Sequence, residues 1–220
     1  MHVTTWVRSK SLRDIFSMPS DDATLGGRND TVELLKAWAG TTLAYAVALM
    51  GGQVVSSRFL FILLIAAVTC GMGFVLHELA HRILARRYGA QAHFIANNGW
   101  LLISIVLAFT GFFIAAPGAV WHRGYLTPRQ GGLIALGGPV TNLVLAALFL
   151  LLGLVTPSSS WLGLVASIGY NINAWLGLFN MIPAGPFDGA KVLNWNWQVF
   201  AVTVAVGIGM VFLLPQFIAI

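Results

Sequence analysis

Up to about position 36 the chain is polar and charged, and beyond it apolar residues run in long blocks separated by short polar breaks. The blocks at 37–55, 59–85, 132–155, 161–182 and 199–217 each match the length of about 20 residues that a helix needs to cross a hydrocarbon layer. Only Ser56, Ser57 and Arg58 separate the first two, which predicts an antiparallel pair. The break at 156–160, with Pro157 in it, predicts a second tight connection. The Ser-, Asp- and Gly-rich stretch 17–30 predicts a loop, with Asp30 or Thr31 capping the helix that follows.

A further apolar block, 99–120, breaks the simple alternation, because Arg86 and Arg87 precede it and Arg123 and Arg129 follow it. Basic flanks favour the cytoplasmic face, so both ends of this block are expected on that side. The block is therefore expected to dip into the membrane and return, turning near Ala116, Pro117 and Gly118. Backbone that is not helical is tolerated at such depth where it is buried in protein or lines a water-filled cavity. The expected fold class is an all-α polytopic membrane protein of about five to six transmembrane helices, with a re-entrant or membrane-dipping segment after the second span.

Composition agrees with that pattern. A chain of 220 residues that is 58% hydrophobic and 9% charged, with a mean hydropathy of +0.82, is far from an ordinary soluble domain. The net charge of +5 comes from basic residues scattered along the flanks of the apolar blocks, which fits cytoplasmic anchoring and argues against nucleic-acid binding. Cys70 is the only cysteine, so an intramolecular disulfide and a cysteine-rich zinc module are both excluded. The charged start of the chain is unlike a cleavable signal peptide. The expected organisation is a cytosolic arm at 1–35 and a transmembrane domain at 36–220, with its chemical core at 59–193.

That core is marked by His77-Glu78-Leu79-Ala80-His81 inside the second span. Residues four apart share a helix face, so His77 and His81 can offer imidazole nitrogens to one metal while Glu78 reaches beside them toward a water. A single His in an apolar helix is usually a hydrogen-bonded core residue. Three ionisable groups within five positions at membrane depth are costly, and they persist with a partner, a metal or water.

A catalytic zinc takes three protein ligands and keeps one position open. Asp188 is the only acidic residue after Glu78, and it sits in a stretch where two prolines and two glycines end a helix and hold an irregular loop. A downstream Glu, as in thermolysin-like enzymes, is missing, and Leu84 and Arg87 occupy the positions where a metzincin has Gly and His. Asp188 is thus the third ligand expected, with helix capping or pairing with Lys191 as its alternative role. His93 and His122 rank behind it.

These residues carry a resemblance. The HExxH helix, followed by Asn180-Met181-Ile182-Pro183-Ala184-Gly185-Pro186-Phe187-Asp188-Gly189, resembles the site-2 protease family of intramembrane zinc metalloproteases. Gly138-Pro139-Val140-Thr141-Asn142 is similar to that family's Gly-Pro-x-x-Asn stretch. The resemblance implies cleavage of transmembrane substrates, often after a first cut elsewhere. It extends neither to a PDZ insert, for which 156–160 is too short, nor to a regulatory domain after the last span.

The expected function is that of an intramembrane zinc-dependent endopeptidase in the cell membrane, multi-pass, with its active site toward the cytoplasmic side. One zinc ion is held by His77, His81 and Asp188, and Glu78 moves the proton of the attacking water. Asn180 either helps to stabilise the developing oxyanion or makes an interhelical hydrogen bond, and Asn142 is structural or touches substrate. Partners are a transmembrane protein substrate and the lipid bilayer, with no nucleic acid; the oligomeric state is open. An extended substrate could pair with the strand-like stretch 91–97. A metal-ion transporter and an inactive relative that binds membrane segments are the alternatives.

Overall fold

The computed structural model describes residues 29–115 and 118–216, so the arm up to position 28 lies outside the described residues. Helix α1 (Asp30–Leu49) starts in a charged stretch seven positions before the first apolar block, because Asn29 caps it: its side chain accepts from the Thr31 N–H at 3.0 Å. Neither Asp30 nor Thr31 is the cap; the Asp30 carboxylate is engaged elsewhere. Ser56 caps α2 (Ser57–Arg87), which runs antiparallel to α1, so that Asp30 at the start of one meets Arg82 and Arg86 at the end of the other. Within α2 a π-helical turn at Ala67–Gly71 widens the backbone, and the Trp38 indole donates to the Ala67 carbonyl there at 3.1 Å.

The stretch after α2 departs from an all-helical fold. Strand β1 (Gln91–Ala96) is followed by α3 (Asn98–Ala108), a turn through Gly111 at φ 82, and strand β2 (Gly118–Arg123). The strands pair antiparallel from Gln91 with Arg123 to Ala96 with Gly118. At about 1.5 Å per residue α3 rises roughly 16 Å, half of a hydrocarbon core of about 30 Å. The chain thus leaves the hairpin at Ala96 and rejoins it at Gly118, beside its point of departure. Ala116 and Pro117, at the turn expected from sequence, lie outside the described residues.

Helix α4 (Pro128–Val155) opens with a reciprocal cap in which Thr127 and Gln130 satisfy each other's backbone N–H groups, with Pro128 at the first helical position. It is followed by α5 (Trp161–Phe179), capped by Ser160, the short α6 (Asp188–Trp195), and α7 (Trp197–Gln216), capped by Asn196. Helix α4 is central and packs against α2, α5 and α6. Four described helices, α2, α4, α5 and α7, are long and apolar enough to cross a membrane. Their outer faces carry stripes such as Leu60, Leu64 and Val68 on α2 and Val144, Leu148 and Leu151 on α4, which suit contact with lipid. The chain is a mostly helical membrane protein, with the hairpin as the exception among the described residues.

Candidate metal centre

His77 and His81 lie one turn apart on α2, on the face turned to α4, and Asp188 opens α6 after the Pro183–Pro186 loop folds back from the end of α5. The Gly189 N–H donates to the Asn180 carbonyl at 2.8 Å and pins that return. An added Cβ at Gly189 would strike the Met181 carbonyl, so the loop closes only over glycine there.

The three candidate ligands converge. The Nε2 atoms of His77 and His81 are 3.0 Å apart, and Asp188 Oδ2 is 3.3 Å from the first and 3.1 Å from the second. A tetrahedral ion bonded at about 2.0–2.1 Å has ligand–ligand edges of about 3.3 Å, which these separations approach. All three residues are buried.

The other ring nitrogens are already committed. His77 Nδ1 donates to Asn142 Oδ1 at 2.6 Å and His81 Nδ1 to the Ile134 carbonyl at 2.7 Å. With protons on both Nδ1 atoms, two imidazole lone pairs and a carboxylate oxygen face one another, an arrangement that repels unless a cation sits among them. The donor set and its spacing fit one zinc ion.

Glu78 is buried next to His77 and borders the same cavity as Val120 of β2. That cavity, of about 750 Å³, is also bordered by His77, His81 and Asp188 and extends past Phe74 and Ala119 to Asn180 and Lys191. Asn180 borders the cavity with its Nδ2 donating to the Leu176 carbonyl of its own helix at 2.9 Å. The Lys191 ammonium stands 3.7 Å from Asp188 Oδ1, so the pairing foreseen as an alternative to metal binding occurs beside the cluster and leaves Oδ2 to it. His93 sits on β1 opposite Trp121 and does not join the cluster; His122 pairs through its backbone with Ala92.

Sequence reasoning missed Asn173, the Ile134 carbonyl and the role of Gly138. Asn173 carried a signal, since a carboxamide in the middle of an apolar span must find partners. The Ile134 carbonyl carried none. A Cβ at Gly138 would stand 2.5 Å from Nε2 of both histidines, so the missing side chain leaves the ligand face open.

In comparisons with known proteins, the chain is similar to "Putative zinc metalloprotease MJ0611" of Methanocaldococcus jannaschii, 42% identical over 145 residues that make up 65% of this chain and 76% of that protein. It is 31% identical over 137 residues to "Putative zinc metalloprotease Rip3" of Mycobacterium tuberculosis, covering 60% of this chain and 31% of Rip3. To "Putative zinc metalloprotease YwhC" of Bacillus subtilis it is 31% identical over 147 residues, covering 58% of this chain and 66% of YwhC. No protein-family model and no solved structure matches the chain.

Proposed function

Because the chain belongs to the site-2 protease family of zinc metalloproteases, we propose that it is an intramembrane endopeptidase that hydrolyses peptide bonds within or near transmembrane segments of other membrane proteins. The observation that carries this reading is the convergence of His77, His81 and Asp188 beside Glu78, in a cavity walled by helices of membrane length.

His77, His81 and Asp188 would hold one zinc ion, which when bound supplies Lewis acidity to the scissile carbonyl and to an attacking water. Glu78 takes the water's proton and delivers it to the leaving amine. Asn180 serves the developing oxyanion by exchanging its bond to Leu176 for one to the substrate.

The substrate enters in extended form, since a helix hides its carbonyls in internal hydrogen bonds. Strand β2, not 91–97, is the edge it joins. The outer edge of β1 is sealed by α1: Asp30 Oδ1 accepts from the Phe94 N–H at 2.6 Å and Glu33 Oε2 from the Ala96 N–H at 3.2 Å. Gly118, Ala119 and Val120 of β2 border the cavity instead.

In the bilayer, α1, α2, α4, α5 and α7 cross, and the excursion between Ala96 and Gly118 enters and returns. Support comes from the pairing of those two residues and from the basic flanks. The active site then lies toward the cytoplasmic side of a multi-pass cell-membrane protein, with a cytosolic arm at 1–35 and a catalytic core at 59–193.

The test is cleavage of a reporter transmembrane substrate by purified protein in detergent, wild type against Glu78→Gln, with zinc content measured on both. Cleavage by wild type, lost in the variant at unchanged zinc content, is the expected result. A wild type that binds zinc but cuts none of several substrates, or that binds no zinc, refutes the reading.

A further inference from the structure

We propose that Asn173 and Asn142 form a directional amide relay that fixes the tautomer of His77 and thereby decides which of its ring nitrogens faces the metal. The inference rests on the zinc reading of the site for its purpose, but its geometry is independent of any metal.

The argument starts at the end of the relay farthest from the site. Asn173 Nδ2 lies 2.9 Å from the Gly169 carbonyl and 3.5 Å from the Thr69 carbonyl. Carbonyl oxygens only accept, so the NH₂ end of Asn173 faces them and its Oδ1 points away. That oxygen meets Asn142 Nδ2 at 2.9 Å, and the same Nδ2 meets the Gly73 carbonyl at 3.2 Å. Asn142 is oriented in turn: two acceptors take its NH₂ group, and its Oδ1 is left to face His77 Nδ1 at 2.6 Å. His77 must then carry its proton on Nδ1 and turn the Nε2 lone pair toward His81 and Asp188. Reversing either amide would set oxygen against carbonyl oxygens.

Three features of the fold enforce the relay. Thr69, Asn142 and Asn173 are fully buried, so water cannot replace a misdirected bond. Thr69 lies in the widened turn of α2, where the backbone carbonyls are presented outward to a neighbouring helix. Gly73 has no Cβ, and one added there would collide with Asn173 Oδ1. His81 is anchored separately by the Ile134 carbonyl, so the relay acts on one ligand of the pair and leaves the other as an internal reference.

Both asparagines are positioning residues, and the competing account is that they only tie helices together. The test uses zinc-free, full-length protein labelled with ¹⁵N-histidine in detergent, at about pH 8.5, above the ordinary imidazole range. Long-range proton–nitrogen correlation then reports which ring nitrogen of each histidine holds the proton. Wild type is expected to show His77 as the Nδ1–H form. Asn142→Leu and Asn173→Leu are expected to move His77 toward the Nε2–H form without changing His81. Competition against a chelator should show a zinc affinity about 10–100-fold lower in Asn142→Leu. Asn142→Asp, which keeps an acceptor for His77 but sets its second oxygen against the Gly73 carbonyl and Asn173 Oδ1, should leave His77 in the Nδ1–H form.

A wild-type His77 in the Nε2–H form overturns the proposal without recourse to any variant. So does retention of Nδ1–H in both leucine variants. Should those variants fail to fold, Asn142→Asp with an altered His77 tautomer overturns it as well. A wild type with the expected tautomer but no zinc affinity would refute the zinc reading and leave the relay standing.

Discussion

Gly138→Ala isolates the site's geometry from its chemistry, because it removes no ligand, acid or base. The added Cβ would stand 2.5 Å from Nε2 of His77 and of His81 and 2.6 Å from Cε1 of His77. Ordinary contact begins near 3.4 Å, so the rings or helix α4 must give way by about 0.9 Å. Zinc–ligand distances tolerate about 0.2 Å, and misplacement of about 1 Å at a reacting centre costs on the order of 100-fold. We expect zinc affinity to fall about 100-fold, equivalent to about 2.7 kcal/mol, with cleavage falling in parallel. Helix propensity works the other way, favouring Ala over Gly by about 1 kcal/mol, so the fold itself should survive. Chelator competition on purified protein measures the affinity. Gly209→Ala, whose methyl meets no protein atom within 4 Å, is the control for a generic Gly-to-Ala effect. Gly138→Ala protein with wild-type zinc affinity and wild-type cleavage would refute the reasoning.

Asp188→Asn is expected to lower zinc affinity and abolish cleavage together, in contrast to Glu78→Gln, where zinc stays; equal zinc loss in the two variants would contradict their separate roles. Chelation of zinc from wild type should abolish cleavage, and returned zinc should restore it; cleavage that persists in zinc-free protein would rule out the metal mechanism. Asp30→Ala takes a partner from Arg82, Arg86 and the Phe94 N–H. It should lower unfolding stability by about 1–3 kcal/mol, read by denaturant titration, while zinc affinity is unchanged. Membrane-impermeant thiol labelling should mark Trp121→Cys from the cytoplasmic face and Trp161→Cys from the opposite face, with little background from buried Cys70; the reverse assignment would exclude the re-entrant arrangement.

Much of this was legible before any coordinates, for reasons that differ by element. The spans of α2, α4, α5 and α7 announced themselves because lipid demands long apolar runs, and their ends fell within a few residues of where polar caps such as Ser160 and Asn196 stand. The cluster of His77, His81 and Asp188 was legible as a candidate because His and Asp are rare and costly at that depth. Helix α1 began earlier than its apolar block because Asp30 and Glu33 find partners in α2 and β1 that no local pattern announces. The block at 99–120 was read as one apolar unit, but composition cannot separate a helix of 11 residues from the extended return that follows it. What the sequence hid most completely was the set of backbone carbonyls, at Ile134, Gly73 and Thr69, that orient the polar groups, because a carbonyl is the same at every position.

Ile134, Gly138 and Asn142 are spaced four apart on α4, so a single stripe of one helix supplies an acceptor to His81, an opening at both rings and an acceptor to His77. The helix works as a ruler with three marks. One residue inserted between the first and last mark would rotate the remainder by about 100° and advance it by about 1.5 Å. No single side-chain change could then realign the two rings. This stretch should therefore accept substitutions at its lipid-facing positions, such as Val140 and Val144, and reject any change in its length.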